Sequence, residues 1–539
     1  MAHATTTVDA PPVPAAPPAP TRRAALDERP FRLAVAGSTA AVAAFLGLRL
    51  TAWPPHEDEA LELFVGHRSL PALLDTVLGE RGGAPLHFLL AWAVVHLGGG
   101  LEALRLLSAA FALASIPLIA SLAARLADRT VAALAAALAA ASWMLLFHGV
   151  YARMYSLFLF TSALSYLTLL QALEMGGRRR WAFWVAAVLL TVATHPYGAL
   201  VLASQGAFVV VARRERLREA AWAFGAVGLI GIPFWLTDLV LAGRFDAGVS
   251  AGSRLDVVEY VWHAAGDFSA GFPMLLGVLV AVAAGFAVLP RETRLLAACA
   301  VVVPLAALVV ARSTGSPETR HLIFLLPFAA LAAGAGIRRL GRVWGTAALA
   351  ALVVAQLAWT WDRTPELFEW EPDVRQQARA DAAAYVAATI APDDVLLGYD
   401  PLYLQARESD EDVPLVVLPR ADADLALHNL LSLERPLGHG VWILDSSKTT
   451  NIDRSLQIPH VSPRPASAFV VRDFGPFLVI RTREPVVTPK RYLERAGQAM
   501  LVGKRLYLGD ADINLPTIER AARALRGYGA SRSLSTSSR

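Results

Sequence analysis

From residue 33 to residue 361 the sequence repeats one pattern: an apolar run, then a short polar break. Most of these runs approach the ~20 residues that cross the hydrocarbon of a bilayer. In hydrocarbon every backbone N–H and C=O must be paired within the protein, so runs of this kind are read as spanning helices. Composition agrees, with 55% hydrophobic and 17% charged residues, where a soluble domain carries roughly 25% charged. A soluble globular protein is excluded. The expected fold class is a polytopic α-helical membrane protein.

Arginine sets the sidedness. Arg22, Arg23 and Arg32 precede the first run, 33–53, which is too long for a signal-peptide core. Residues 1–30, rich in Pro, Ala and Thr, read as a disordered cytoplasmic tail. Segment 84–97 is apolar but only 14 residues long, and Gly98-Gly99-Gly100 closes it. That length predicts an interfacial or re-entrant helix rather than a span. Further spans are then expected at 104–124, 130–148, 156–174, 181–195, 197–212, 220–241, 268–289, 295–311, 321–337 and 343–361. The clusters Arg125/Arg129, Arg178/Arg179/Arg180, Arg213/Arg214/Arg216/Arg218, Arg291/Arg294 and Arg338/Arg339/Arg342 all fall inside, as the positive-inside rule requires. If 84–97 crossed, every one of these clusters would move outside. The reading is therefore about eleven spans over 31–361, a large first outer loop at 54–103, the N-terminus inside and the C-terminus outside. Pro196 makes a tight outer turn between two short spans.

Beyond residue 361 charge rises and the long apolar runs stop. Short apolar runs at 395–397, 415–418, 441–444 and 477–480, with helical patterns such as 374–390, predict a small extracytoplasmic α/β domain over 362–530. A last helical stretch is expected at 517–525 and a disordered tail at 531–539.

The single cysteine, Cys299, lies in an apolar run, which excludes an intramolecular disulfide and a thiolate metal site. Lysine occurs only at Lys448, Lys490 and Lys504. The membrane half therefore has no P-loop lysine, and a phosphate held there would rely on arginine, histidine or backbone groups. Nothing in the modest net charge of +4 points to nucleic acid.

With this topology the unusual polar residues sort by side. Acids, histidines and tyrosines collect on the outer face, and the inner face is mostly arginine. A reaction site needs such mixed groups. The decapeptide 53–62 (WPPHEDEALE) places four carboxylates just after the first run. A helix would set Asp58 and Glu62 on one face, with Asp58 and Glu59 pointing apart. One carboxylate could take a proton from an attacking hydroxyl; equally, solvated acids are favoured at a helix N-terminus. In 148–155, Arg153 between Tyr151 and Tyr155 could bind a phosphate or sugar, or form an interfacial belt. His195-Pro196-Tyr197-Gly198 could line the same cavity or be a simple turn. Arg320 in Glu318-Thr319-Arg320-His321 could hold a lipid phosphate or snorkel to a headgroup. No spacing marks a metal site, although His56 with Glu57 or Asp58 could take a divalent cation.

Together these pieces resemble the GT-C class of polytopic glycosyltransferases, nearest the family 39-like branch of protein O-mannosyltransferases and aminoarabinose transferases. The matching elements are Asp58-Glu59-Ala60 after the first span, Pro85-Leu86-His87, Ala152-Arg153-Met154-Tyr155, His195-Pro196-Tyr197-Gly198, and Arg320-His321 leading into a span with Pro327. They cover roughly 31–361. Met154 stands where related sequences often have proline, and the phosphate-holding lysine is missing. The resemblance implies Asp58 as base or acceptor-positioning group, with Glu59 as its partner. It implies His87, Arg153, Tyr155, His195, Tyr197, Arg320 and His321 as substrate-binding residues. It also implies a polyprenyl-phosphate sugar donor, a membrane lipid environment, an extracytoplasmic lipid, glycan or protein hydroxyl as acceptor, and transfer with inversion. No cofactor is certain. Two other readings stay open: a transporter or lipid flippase of the cell envelope, and a membrane-anchored binding protein that works through 362–539.

Overall fold

The fold was analysed in a computed structural model. It describes residues 22–506 apart from 54, 81, 245–253, 312–318, 369–371, 399, 410–416, 420–428, 432, 434 and 446–465. The expected helix at 517–525 and the tail at 531–539 lie outside the described residues, as does 1–21 of the expected N-terminal tail.

Helix α1 (Arg22–Arg49) begins within the expected tail. The first loop carries α2 (Glu57–Gly66), α3 (Leu70–Asp75), one π-helical turn at Thr76–Glu80, and α4 (Pro85–His96). Then follow α5 (Leu101–Leu126), α6 (Arg129–Ala141), α7 (Trp143–Gly149), α8 (Tyr155–Met175), α9 (Arg178–Thr194), α10 (Gly198–Ala212), α11 (Leu217–Ile230), α12 (Ile232–Arg244), α13 (Arg254–Phe268), α14 (Phe272–Val288) and α15 (Arg291–Ala311). A 3₁₀ segment at Thr319–Leu325 leads into α16 (Leu326–Arg339), and α17 (Gly341–Phe368) ends the bundle.

Among the described residues six helices are long and apolar enough to cross a membrane, or up to nine if each of three bent pairs is one span. The α6–α7 pair bends by 53°, α11–α12 by 58° and α13–α14 by 89°. Each break has a local cause. Ser142 has an extended backbone (φ −64°, ψ 131°) and ends one helix while starting the next. Gly231 is followed by Pro233, and Gly271 sits at φ 81° just before Pro273. The expected spans at 181–195 and 197–212 form as α9 and α10, helices of 17 and 15 residues. The expected elements are helical, but the count of eleven is not reached by length and composition: the expected runs 130–148 and 220–241 are each broken in two, α13 precedes the expected run 268–289, and α9 and α10 are short.

The outer surface of the bundle is apolar, with Trp222 79%, Leu229 71%, Leu276 74% and Val310 82% exposed. Such a surface suits contact with lipid. Inside, small residues bring helices together. At the α14–α16 crossing a side chain added to Gly285 would meet the Ala332 carbonyl at 1.7 Å, and one on Gly336 would meet Ala281 at 2.0 Å. Without a hydrophobic drive in lipid, such close backbone approach is what holds helices to each other.

The C-terminal part contains α18 (Pro372–Thr389), β1 (Val395–Gly398), α19 (Asp400–Ser409), β2 (Val417–Pro419), β3 (Gly440–Asp445), β4 (Phe469–Asp473), β5 (Phe477–Thr482) and α20 (Pro489–Leu506). The sheet order is β2-β1-β3-β5-β4, with β1 parallel to β2 and β3, and β5 antiparallel to β3 and β4. Successive side chains point to opposite faces. Leu396, Val441, Ile443 and Val479 therefore pack under α18 and α19, while Val395, Leu397, Trp442 and Ile480 pack under α20.

Helix α2 is seated between both parts. Leu63 packs with Ala91, Val95, Leu104 and Ala152, against which Leu404 of α19 also packs. Phe64 packs against the core formed by α18, α19 and the sheet. Arg68 donates a hydrogen bond to Asn429.

Candidate active site

The acids of 53–62 have separate environments, and the start of α2 explains why. His56 is its N-cap: the ring Nδ1 accepts the Asp58 amide at 3.2 Å, and the Glu59 carboxylate accepts the His56 amide at 3.0 Å. This reciprocal cap fixes the first turn. It turns Asp58 and Glu62 one way and Glu59 another.

Glu59 is fully buried. Its carboxylate takes a bidentate pair from Arg105 (Nε to Oε1 2.9 Å, Nη2 to Oε2 2.7 Å) and the Ala152 amide at 2.9 Å. Arg105 Nη1 also donates to the carbonyls of Leu50 and Trp53, each at 2.9 Å. Glu62 is equally buried. Arg153 donates to its Oε1, and His87 Nδ1 lies 3.1 Å from Oε2.

Asp58 is only partly buried, its side chain 20% exposed. Its Oδ2 accepts the Tyr151 hydroxyl at 2.7 Å and Arg320 Nη2 at 3.2 Å. Arg320 Nη1 reaches the Tyr151 oxygen at 3.2 Å, and its guanidinium lies 5.4 Å and 5.0 Å from the ring centres of Tyr151 and Tyr155. Around this pair the rings form a box. Tyr155 lies 4.8 Å from His148, 5.9 Å from His195 and 5.7 Å from His321, and Tyr197 lies 5.3 Å from His321. The Tyr155 hydroxyl is 3.2 Å from His321 Nε2. His195 Nδ1 accepts the Tyr197 amide at 3.0 Å, so that ring is a neutral tautomer with its proton on Nε2.

The electrostatics follow from this packing. Burial opposes ionisation of Asp58, but Arg153, Arg320, His56 and the Tyr151 hydroxyl outweigh it and hold the carboxyl well below the usual range. Burial, with Asp58 beside it, pushes the Tyr151 phenol well up, so it stays neutral. Burial works against the charge of Arg153, and Glu62 and Asp58 more than offset it. The site thus keeps a fixed carboxylate beside two fixed guanidiniums. Arg153 Nε is buried with no hydrogen-bond partner among the described residues, which leaves it a donor to offer an anion. Among the described residues no group of three His, Cys, Asp or Glu side chains is arranged to hold a metal ion.

The fold thus brings Asp58, Arg153, Tyr155, His195, Tyr197, Arg320 and His321 to one place. Glu59 and His87 lie behind it, at 0% and 3% exposure, against Arg105 and Glu62. Glu318 lies outside the described residues. Sequence reasoning passed over Arg105 and gave Tyr151 no separate role. The signals were there: Arg105 is a charge at the start of an apolar run, which needs a partner. Tyr151 stands two residues before Arg153, at the break between two helices.

No protein-family model matches the chain, and no curated protein matches its sequence. Solved structures do. The crystal structure of ArnT from Cupriavidus metallidurans bound to undecaprenyl phosphate aligns with a TM-score of 0.58 at 16% identity, covering 83% of this chain and 97% of that one. Its apo state gives 0.56 at 16% identity over 83% and 98%. The Archaeoglobus fulgidus oligosaccharyltransferase in complex with zinc and sulfate gives 0.50 at 12% identity, over 77% and 68%. Both neighbours are glycosyltransferases of one fold class.

The chain has the GT-C fold.

Helix α2, which carries Asp58, lies in the loop between α1 and α5 of that bundle. At these identities the likeness is one of fold.

Proposed function

We propose that this GT-C protein is an inverting glycosyltransferase that moves a sugar from a polyprenyl-phosphate donor to a hydroxyl on an extracytoplasmic lipid, glycan or protein. The observation that carries the reading is the Asp58 carboxylate, partly buried and ionised, set against Arg320 and Tyr151 with Arg153 behind. The carboxylate orients the acceptor hydroxyl and takes its proton as the oxygen attacks C1. The departing phosphate needs charge stabilisation more than a proton. Arg153, with a spare buried N–H, and Arg320 supply it. Tyr155, His195, Tyr197 and His321 line the sugar side. Glu59 anchors α2 through Arg105, and His87 with Glu62 holds Arg153.

The arginine clusters support an outward-facing site, with the N-terminus cytoplasmic and the C-terminal domain extracytoplasmic. A lipid-linked donor fits that side, because nucleotide sugars are cytosolic. The structural likeness to ArnT bound to undecaprenyl phosphate supports the donor class. The test is turnover of a panel of polyprenyl-phosphate sugars by purified protein, with and without a chelator. Transfer by the wild type and its loss in Asp58→Asn at normal expression are expected. Full activity of Asp58→Asn sinks the assignment. Movement of a labelled lipid across proteoliposomes without chemical change would favour the flippase reading instead.

A further inference from the structure

The proton taken from the acceptor has to leave the site. Asp58 cannot keep it: two guanidiniums and a phenol stabilise its charged form. The way out is visible in the geometry. The Tyr151 hydroxyl, 2.7 Å from Asp58 Oδ2, is also 3.2 Å from His56 Nδ1. The His56 and Tyr151 rings meet edge to face with centres 5.5 Å apart, and His56 Nδ1 is 4.0 Å from Asp58 Oδ2. The His56 side chain is 29% exposed, against 20% for Asp58 and 1% for Tyr151. His56 is therefore the member of the chain Asp58–Tyr151–His56 most open to water.

We infer that His56 is the proton exit of the transfer reaction, receiving the acceptor's proton from Asp58 through the Tyr151 hydroxyl and handing it to water. The inference rests on the glycosyl-transfer reading above. The balance is as follows. The acceptor oxygen forms its bond to C1 as the C1–O bond to phosphate breaks, and the phosphate leaves with that electron pair. The acceptor's proton passes to the Asp58 carboxylate. Tyr151 then takes a proton from Oδ2 and gives its own to His56 Nδ1, remaining a neutral phenol throughout. The imidazolium loses a proton to water and the carboxylate is regenerated.

His56 is also the N-cap of α2. Its Nδ1 accepts the Asp58 amide in the resting state. Arg320 Nη1, 3.2 Å from the Tyr151 oxygen, fixes the phenol while its proton switches between the two acceptors.

The cap and the relay can be separated. Asn is a preferred N-cap with a side-chain oxygen acceptor, but it cannot carry a proton at this position. We expect His56→Asn to fold with an unchanged Tm and to lower kcat roughly 10- to 100-fold, with donor KM within about twofold. Free imidazole should restore much of the lost rate. His56→Ser, a second capping variant, should behave alike, and imidazole should fail to rescue His56→Asn/Tyr151→Phe. Wild-type kcat in a folded His56→Asn protein overturns the relay, as does a loss of rate that imidazole leaves untouched in both capping variants. Absence of transfer by the wild type overturns the glycosyl-transfer reading, and the relay with it.

Discussion

Arg320 Nη2 lies 3.2 Å from Asp58 Oδ2, and 262 residues of sequence separate the two. The same guanidinium reaches the Tyr151 hydroxyl through its other terminal nitrogen. One arginine therefore fixes both partners of the proposed base. Arg320→Lys keeps the charge and loses the fork. We expect kcat/KM to fall about 10²-fold in Arg320→Lys and further in Arg320→Gln, since removing one preorganised donor costs on the order of 10²–10³ in rate. Steady-state kinetics with a polyprenyl-phosphate sugar measure this. A lysine variant of wild-type efficiency would show that the fork is idle.

The pH dependence follows from the depressed pKa of Asp58. A carboxyl with a lowered folded-state pKa stabilises the fold above its unfolded value of roughly 3.9 and loses that contribution as pH falls through the folded value. Asp58 should thus stay ionised down to about pH 4, and the wild-type rate should show no acid limb from it above that. With Arg320→Gln the burial that opposes ionisation meets fewer cations. An acid limb should appear, displaced upward. Superimposable pH–rate profiles for the two proteins would contradict this.

The Glu59–Arg105 pair makes a stability prediction. Both side chains are buried, and together they join the segment after α1, α2, α5 and the turn before α8. Arg105→Leu strands a buried carboxylate, and breaking such a pair costs about 3–5 kcal/mol. Glu59→Gln/Arg105→Met, with no charge left, should recover part of the loss. Thermal unfolding in detergent compares the three.

At Gly285 there is no room for any side chain, with Ala332 on the facing helix. Gly285→Leu should prevent α14 and α16 from seating and reduce the yield of folded protein. Gly277, on the same helix with nothing within 4 Å of an added carbon, should accept leucine. Size-exclusion profiles of the two variants decide this.

Local chemistry made much of this fold legible. Run lengths located most of the bundle helices, though not α13, and the short runs at 441–444 and 477–480 became β3 and β5. Strand β4 went unread because Phe469–Asp473 shows burial at one end and exposure at the other. The bends escaped because hydropathy does not register an extended Ser142 inside an apolar stretch. In the site, Asp58 was readable as one acid of a cluster. Which acid faces Arg320 and Tyr151 was not, because that depends on Arg105, Arg153 and Arg320, partners that the sequence scatters over more than 200 residues.

The seating of α2 has a consequence for biosynthesis. Asp58 is made early, yet its helix rests on Leu404 through Leu63 and its neighbours, on the α18–α19 core through Phe64, and is tied to Asn429 through Arg68, 361 residues further on. At ~5–20 residues per second of synthesis, roughly 20–70 s separate the acid from its support. A nascent chain therefore carries the proposed base into the membrane long before it can hold it in place, and activity should arise only when the last part of the protein has emerged and docked.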